Sequence, residues 1–280
     1  MTDTHRQRSR SALHTRSVFL AALFMLLGPG IFAQVSVNSP LTIELEVLPG
    51  SRHTGTIVLE NVGSVREEVR LYQTDYRSER PASFHYESPG GHARSNASWI
   101  SVAPLRFSIP PGARYLVPYT IDIPADATLS GTFWSVLMIE PIAPASPESA
   151  AAAPDQVAVG VVTLLRYAVR LVTHIGETGA VQPEVEAVSV ELRNGVPTLL
   201  LALANEATRM LRLSVWAELY DASGRLAARR EGSGGTLFPG SSIEWQIPLT
   251  DVPRGAYTTL VLLDAGENNV YGVSISLTLE

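Results

Sequence analysis

The sequence predicts an all-β protein made of antiparallel β-sandwiches, and three observations carry that prediction. Apolar residues recur at every second position in short runs: Leu105, Phe107 and Ile109, then Tyr115, Val117, Tyr119, Ile121 and Ile123. Period two sends one set of side chains to a buried face and the other to water. Pro110-Pro111-Gly112 and Pro124-Ala125-Asp126 separate these runs, and such residues supply the dihedrals of tight reversals. Residues 131–140 are more continuously apolar, as expected of a strand deep in a sandwich.

Taken in order, residues 1–33 read as an export signal. Arg6, Arg8, Arg10 and Arg16 form a basic lead, residues 18–27 an apolar core, and Gly28-Pro29-Gly30 a break before the small Ala33. The apolar core is shorter than the roughly 20 residues that span a bilayer. The full chain carries a formal net charge of −6, and losing four arginines with only Asp3 makes the mature chain more acidic. That argues against nucleic acid as a partner, since phosphate binding needs a basic surface. There is no cysteine, which excludes disulfides, thiolate metal sites, cysteine nucleophiles and a lipid-bearing cysteine. The mature chain is expected to lack a membrane span and to be periplasmic or extracellular.

A first domain is expected over 34–176. Ile43, Leu45 and Val47 alternate with Glu44 and Glu46, the pattern of a half-exposed strand. Pro49-Gly50 turns the chain into a strand at 55–61, and 69–76 alternates again. Residues 77–96, polar and rich in Ser, Pro, Gly and His, predict an exposed loop or irregular hairpin, where binding residues often sit. Asn96-Ala97-Ser98 matches a glycosylation acceptor, a triplet frequent by chance. Residues 143–156, APASPESAAAAPDQ, predict a flexible loop. The run 157–175 places Val157, Val159, Val161, Leu165, Val169 and Leu171 on one face and Arg166, Arg170 and His174 on the other. Its valines and Gly160 favour a strand over a helix.

Residues 176–183 are the expected link, and 183–280 a second sandwich. Asn194-Gly195 between alternating runs is the strongest hairpin signal in the chain. Alternation returns at 211–220, 243–247, 257–263 and 271–279. Pro-Gly pairs at Pro49, Pro111 and Pro239 echo between the halves, and short strands so spaced indicate antiparallel sandwiches.

Catalytic chemistry is not predicted. No G-x-S-x-G elbow occurs, and the glycine-rich stretch 231–235 does not lead from a strand into a helix with a lysine. His85, Glu87 and His92 match no zinc spacing. Nothing places Asp75 and Glu79 across a cleft as paired carboxylates. No enzyme activity, cofactor or metal site is expected. Trp99, Trp134, Trp216 and Trp245 are expected as core anchors, since aromatic side chains dominate sandwich packing.

This layout resembles the pilus-assembly chaperones of the bacterial periplasm. The similar features are the opening strand 43–47, Leu59-Glu60-Asn61, the proline-glycine strand 111–124, the apolar strand 132–140, the loop 143–156 and the strand 157–172. The resemblance implies two immunoglobulin-like domains and a protein that binds secreted or surface subunits. In that family the last strand of the first domain completes a subunit's open sandwich by strand addition, and Val157, Val159 and Val161 are the matching donors. The family also anchors a subunit's terminal carboxylate with two basic residues in the interdomain cleft. Here residues 35–47 contain no arginine or lysine, and the lysine position of the last strand falls near Ala168, with Arg166 the nearest cation. Arg166 and Arg170 are expected to pair with partner carboxylates. The first domain is also similar to surface sandwiches that bind peptidoglycan or other surface proteins, through Pro49-Gly50, Asp75-Tyr76 and the entry from Pro124 to Gly131. Cell-wall glycan is thus the second expected partner.

Overall fold

The computed structural model describes residues 35–79, 83–142, 164–266 and 269–279. The expected signal segment, the loop 143–156, and Val157, Val159 and Val161 lie outside the described residues. In chain order the first half carries β1 (Val35–Val37), β2 (Thr42–Val47), β3 (Arg52–Asn61), β4 (Glu67–Glu79), β5 (Ser83–Glu87), β6 (Ile100–Val102), β7 (Arg106–Ile109), β8 (Arg114–Asp122), β9 (Gly131–Ile142) and β10 (Tyr167–Ile175). The second half carries β11 (Glu184–Arg193), β12 (Val196–Ala204), β13 (Leu211–Tyr220), β14 (Leu226–Glu231), β15 (Gly235–Leu237), β16 (Ser242–Pro248), β17 (Gly255–Asp264) and β18 (Val270–Leu279). Among the described residues there is no α-helix, and no helix is long and apolar enough to cross a membrane.

The first half stacks a sheet of order β1-β3-β8-β6 on one of order β2-β10-β9-β4-β5, with β7 also paired to β4. This is the immunoglobulin-like arrangement of two antiparallel sheets joined by Greek-key connections. Alternation dictates the core: Ile57, Leu59, Val117 and Ile121 from one sheet meet Leu71, Leu137, Ile139, Val169 and Leu171 from the other. The second half repeats the plan, β11-β12-β16 against β14-β13-β17-β18, around Leu199, Leu201, Leu203, Val215, Ala217, Ile247, Val261 and Leu263. Asn194 and Gly195 both take positive φ, 51° and 80°, and close the β11–β12 hairpin, the geometry that this pair favours. Tyr257, near the start of β17, donates its hydroxyl to the Pro253 carbonyl at 2.8 Å, a tyrosine corner of the immunoglobulin type.

Both halves are sealed by the same asparagine. Asn61, fully buried, donates its amide to the carbonyls of Val65 (2.7 Å) and Ile109 (2.9 Å) and accepts from the Gly63 amide. Its main chain exchanges bonds with Gly112 and Ala113. Asn205, equally buried, donates to Arg209 (2.9 Å) and Leu237 (2.9 Å), accepts from Ala207, and exchanges main-chain bonds with Gly240 and Ser241. The Pro-Gly echo in the sequence is therefore one corner built twice.

Two expectations need correction. Of the two expectations for 77–96, loop or irregular hairpin, the hairpin is the one formed at its start, since residues up to Glu79 continue β4 and β5 pairs back on Asp75 to Glu79, and the correction is that the rest is not exposed loop. Beyond β5 the chain is tied down by the Asp75 carboxylate, which accepts from the Gly91 amide and the Ser95 hydroxyl at 2.7 Å each. Asn96, in the apparent glycosylation triplet, is fully buried and donates to Leu171 and Thr173. Of the tryptophans, Trp99 and Trp245 sit in the two cores. Trp216 instead lies on an outer face under the Arg229 guanidinium, 4.7 Å from its ring centre, because its strand position is even where the core-facing set is odd.

Replacing Asn61 with Ala leaves the buried Ile109 carbonyl, the Val65 carbonyl and the Gly63 amide without their partner. The expected loss is about 3 kcal/mol, read as a lower denaturant midpoint with an unchanged slope; Asn205→Ala should lose a similar amount.

Candidate functional site

The opening strand changes sheets, and that change creates an unpaired edge. β1 pairs with β3 in one sheet, whereas β2 runs parallel to β10 in the other. Pro40 lies in the crossover, where a residue without an N–H cannot continue a ladder. The β2 pairing begins where Arg170 donates its amide to the Leu41 carbonyl at 2.9 Å and continues to Ile175. From Arg170 onward β10 is therefore interior, held by β2 on one side and β9 on the other. The sequence reading of 157–172 as one continuous edge is corrected to this extent. Tyr167, Ala168 and Val169 pair only with β9 among the described residues. Just before them Leu164 and Leu165 are 43% and 47% exposed. Leu165 shares the parity of Tyr167 and Val169, so the core-facing series of β10 runs out into solvent.

At the other end of β10 the two sandwiches are locked together. Thr132 donates its amide to the Thr208 carbonyl at 2.9 Å, and its hydroxyl accepts from the Met210 amide at 2.9 Å. Gly131 donates to Thr178 Oγ1 at 2.9 Å. It adopts φ +76°, and a Cβ there would stand 2.1 Å from the Thr208 oxygen. Beside this joint Trp134 and Val172 are covered by Phe238 of the second sandwich, with Trp134 and Phe238 stacked at 4.7 Å. Trp134 is thus an interdomain anchor; it occupies an even position on β9, whose odd residues fill the core.

A cleft of about 280 Å³ borders the joint, lined on the first sandwich by Glu44, Glu46 and His174 and on the second by Arg209, Met210 and Arg212. Arg209 donates to the carbonyls of Gly176 (2.7 Å) and Thr178 (3.0 Å) and to Glu46 (2.9 Å). Arg212 pairs with Glu44. The cations of this cleft therefore come from the second sandwich and are already engaged by glutamates of β2. His174 Nδ1 lies 2.9 Å from Thr132 Oγ1 and its Nε2 3.7 Å from Glu44. Burial pulls its pKa below the ordinary value, and the Arg209 charge acts in the same direction against Glu46 and Glu44. His92, stacked on Trp134 at 4.3 Å, is likewise lowered by burial.

Arg166 and Arg170 do not reach the cleft. Both lie on the outer face of the β10-β9-β4-β5 region. Arg166 is exposed and drawn to the Tyr72 hydroxyl and the Glu140 carboxylate. Arg170 is half-buried near Tyr76, and no carboxylate among the described residues pairs with it. His85 sits in β5, and Glu87 lies beside Arg77 within electrostatic reach of the stacked His92; among the described residues no group of metal-ligating side chains forms. Sequence reasoning missed the Glu44, Glu46, Arg209 and Arg212 network. Alternation in 42–47 did place both glutamates on one face, but their partners lie more than 160 residues away.

No protein-family model and no curated protein matches the sequence. In shape the chain is similar to a chain of the CsuC–CsuE chaperone–tip adhesion subunit complex from the Csu pili of Acinetobacter baumannii, at 13% identity over 86% of this chain and 98% of that one, TM-score 0.43. It is also similar to a chain of the SafA pilin–SafB chaperone complex of Salmonella enterica, at 12% identity over 87% and 97%, TM-score 0.43. The CupB2 chaperone of Pseudomonas aeruginosa gives 12% identity over 86% and 100%, TM-score 0.38. The fold assignment itself rests on the sheets described above.

Gly131→Ala forces a side chain against the Thr208 carbonyl and strains the backbone. It should lower stability by about 2 kcal/mol or more and speed proteolysis within 176–183. The two lowered histidines give a pH dependence of definite sign. The unfolded chain binds more protons than the folded one between their depressed folded values and the unfolded value of about 6.5. Their stabilising contribution is complete above that value and lost as pH falls through the folded pKa values. Melting temperature should therefore drop on acidification below about pH 6.5, and the His92→Gln/His174→Gln pair should flatten that part of the curve.

Proposed function

We propose that the protein is an exported, periplasmic, chaperone-like binding module that holds secreted or surface subunits, such as pilus subunits, by β-strand addition. One observation carries the reading: among the described residues no strand pairs with the outer edge of the leading part of β10, and the core-facing series leaves the sandwich at Leu165. An unpaired edge offers a row of amide and carbonyl groups to an incoming strand. The uncovered apolar side chains beside it supply area for a groove in the partner. Val157, Val159 and Val161 extend the same parity in the sequence and are assigned here as further donors. Where β2 takes over the edge, a partner strand laid along β10 must stop. Arg170 stands at that stop and Arg166 four residues before it, placed to pair with partner carboxylates.

Leu165→Asp puts a charge where the partner's groove is apolar. It should weaken capture of envelope proteins by at least about tenfold while leaving the melting temperature nearly unchanged, because the side chain is exposed. Val159→Asp with Val161→Asp should do the same. Affinity capture from the native envelope followed by mass spectrometry reads both variants against the parent. Small β-rich secreted proteins lost with either variant support the assignment. Unfolding of the valine double variant, or undiminished capture, overturns it.

A further inference from the structure

We infer that the outer face of the β4–β5 hairpin is a second docking surface, for a segment of the same partner in which carboxylates alternate with aromatic or large apolar side chains. The inference rests on the strand-addition reading above and adds a site that the reading does not require. Tyr76 and Tyr86 stand directly opposite each other across β4 and β5, ring centres 5.8 Å apart. Phe84 stacks on Tyr76 at 5.6 Å and 19°. Phe84 and Tyr86 remain 56% and 54% exposed, although aromatic side chains of this size are ordinarily withdrawn from water. Tyr76 is fixed from behind, since Phe238 of the second sandwich meets it edge-on at 6.3 Å. The cluster is therefore held in place before anything binds, which spares rotamer freedom on association.

Charge identifies the occupant. Among the described residues the same face carries Arg70, Arg166 and Arg170 but a single neighbouring carboxylate, Glu140, which Arg70 already holds at 2.9 Å. The Glu68–Arg106 pair at the far end of β4 is self-neutralised at 2.7 Å. On a chain of net charge −6 this is a local excess of cation. The half-buried Arg170, without a carboxylate among the described residues, is its least compensated member. Tyrosine and arginine together are the composition of interface hot spots. The hairpin lies beyond β9 in the sheet whose opposite side carries the open edge of β10, so a partner added at that edge reaches this face through a segment that crosses the outer side of β10 and β9.

The test uses the full mature chain and three short labelled peptides, one alternating Glu and Phe, one alternating Lys and Phe, and a neutral one alternating Val and Thr. The Glu–Phe peptide should bind at least about tenfold more tightly than the Lys–Phe peptide, and Phe84→Ser with Tyr86→Ser should remove about that factor. The same double variant should keep its binding of the Val–Thr peptide, which Leu165→Asp abolishes. Arg170→Gln is the second variant and should narrow the difference between the Glu–Phe and Lys–Phe peptides without altering the melting temperature. Equal binding of both charged peptides, no loss in the aromatic variant, or dimerisation through the hairpin seen by sedimentation and lost in that variant, overturns the inference. Loss of Val–Thr binding alone leaves this surface standing and counts against strand addition only.

Discussion

The bond from the Arg170 amide to the Leu41 carbonyl decides which part of β10 is interior and which is open. Upstream of Leu41 the chain belongs to the other sheet, because Pro40 cannot carry the ladder across. Downstream, six residues of β2 cover the far half of β10 in parallel register. Moving that crossover toward the amino terminus would close the edge, and moving it the other way would strip the cleft of its glutamates. The open edge and the acidic wall of the cleft are consequences of one short crossover.

The cleft shows how charge is distributed once the acids come from β2. In the chaperone family that the sequence resembles, the cleft offers cations to a partner. Here the cations belong to the second sandwich and their donors are already used, Arg209 on two carbonyls and a carboxylate at once. A charge so engaged stiffens the angle between the sandwiches and attracts a new ligand less strongly than a free one. On the outer sheet face, Arg170 has no carboxylate partner among the described residues.

Much of the fold was legible because alternation and turn chemistry are local signals. The β11–β12 hairpin follows from Asn194-Gly195, and the core strands follow from residues such as Leu137 and Ile139 or Leu199 and Leu201. The parts that were not legible depend on distant contacts. Trp134 has the alternation of a core strand, yet its cover, Phe238, is supplied from the second sandwich. Residues 88–96 look like solvated loop in composition, yet the buried Asp75 carboxylate gathers them onto the sheet. Alternation sets Arg166 and Arg170 on one side of the chain, but which surface that side forms depends on Tyr72, Tyr76 and the hairpin beyond them.

The joint at Gly131 has a further consequence for the cost of association. With Gly131, Thr132, Thr178, Thr208 and Met210 interlocked through one main-chain bond and two bonds to threonine hydroxyls, this part of the protein has little conformational entropy left to lose on meeting a partner. The ordering penalty of complex formation, about 1–2 kcal/mol for each residue fixed, then falls on the incoming chain. On the proposed strand-addition reading, such a rigid bracket would discriminate by how much order a client still lacks: an unfinished sandwich with one strand missing would gain a template, whereas a completed one would gain nothing.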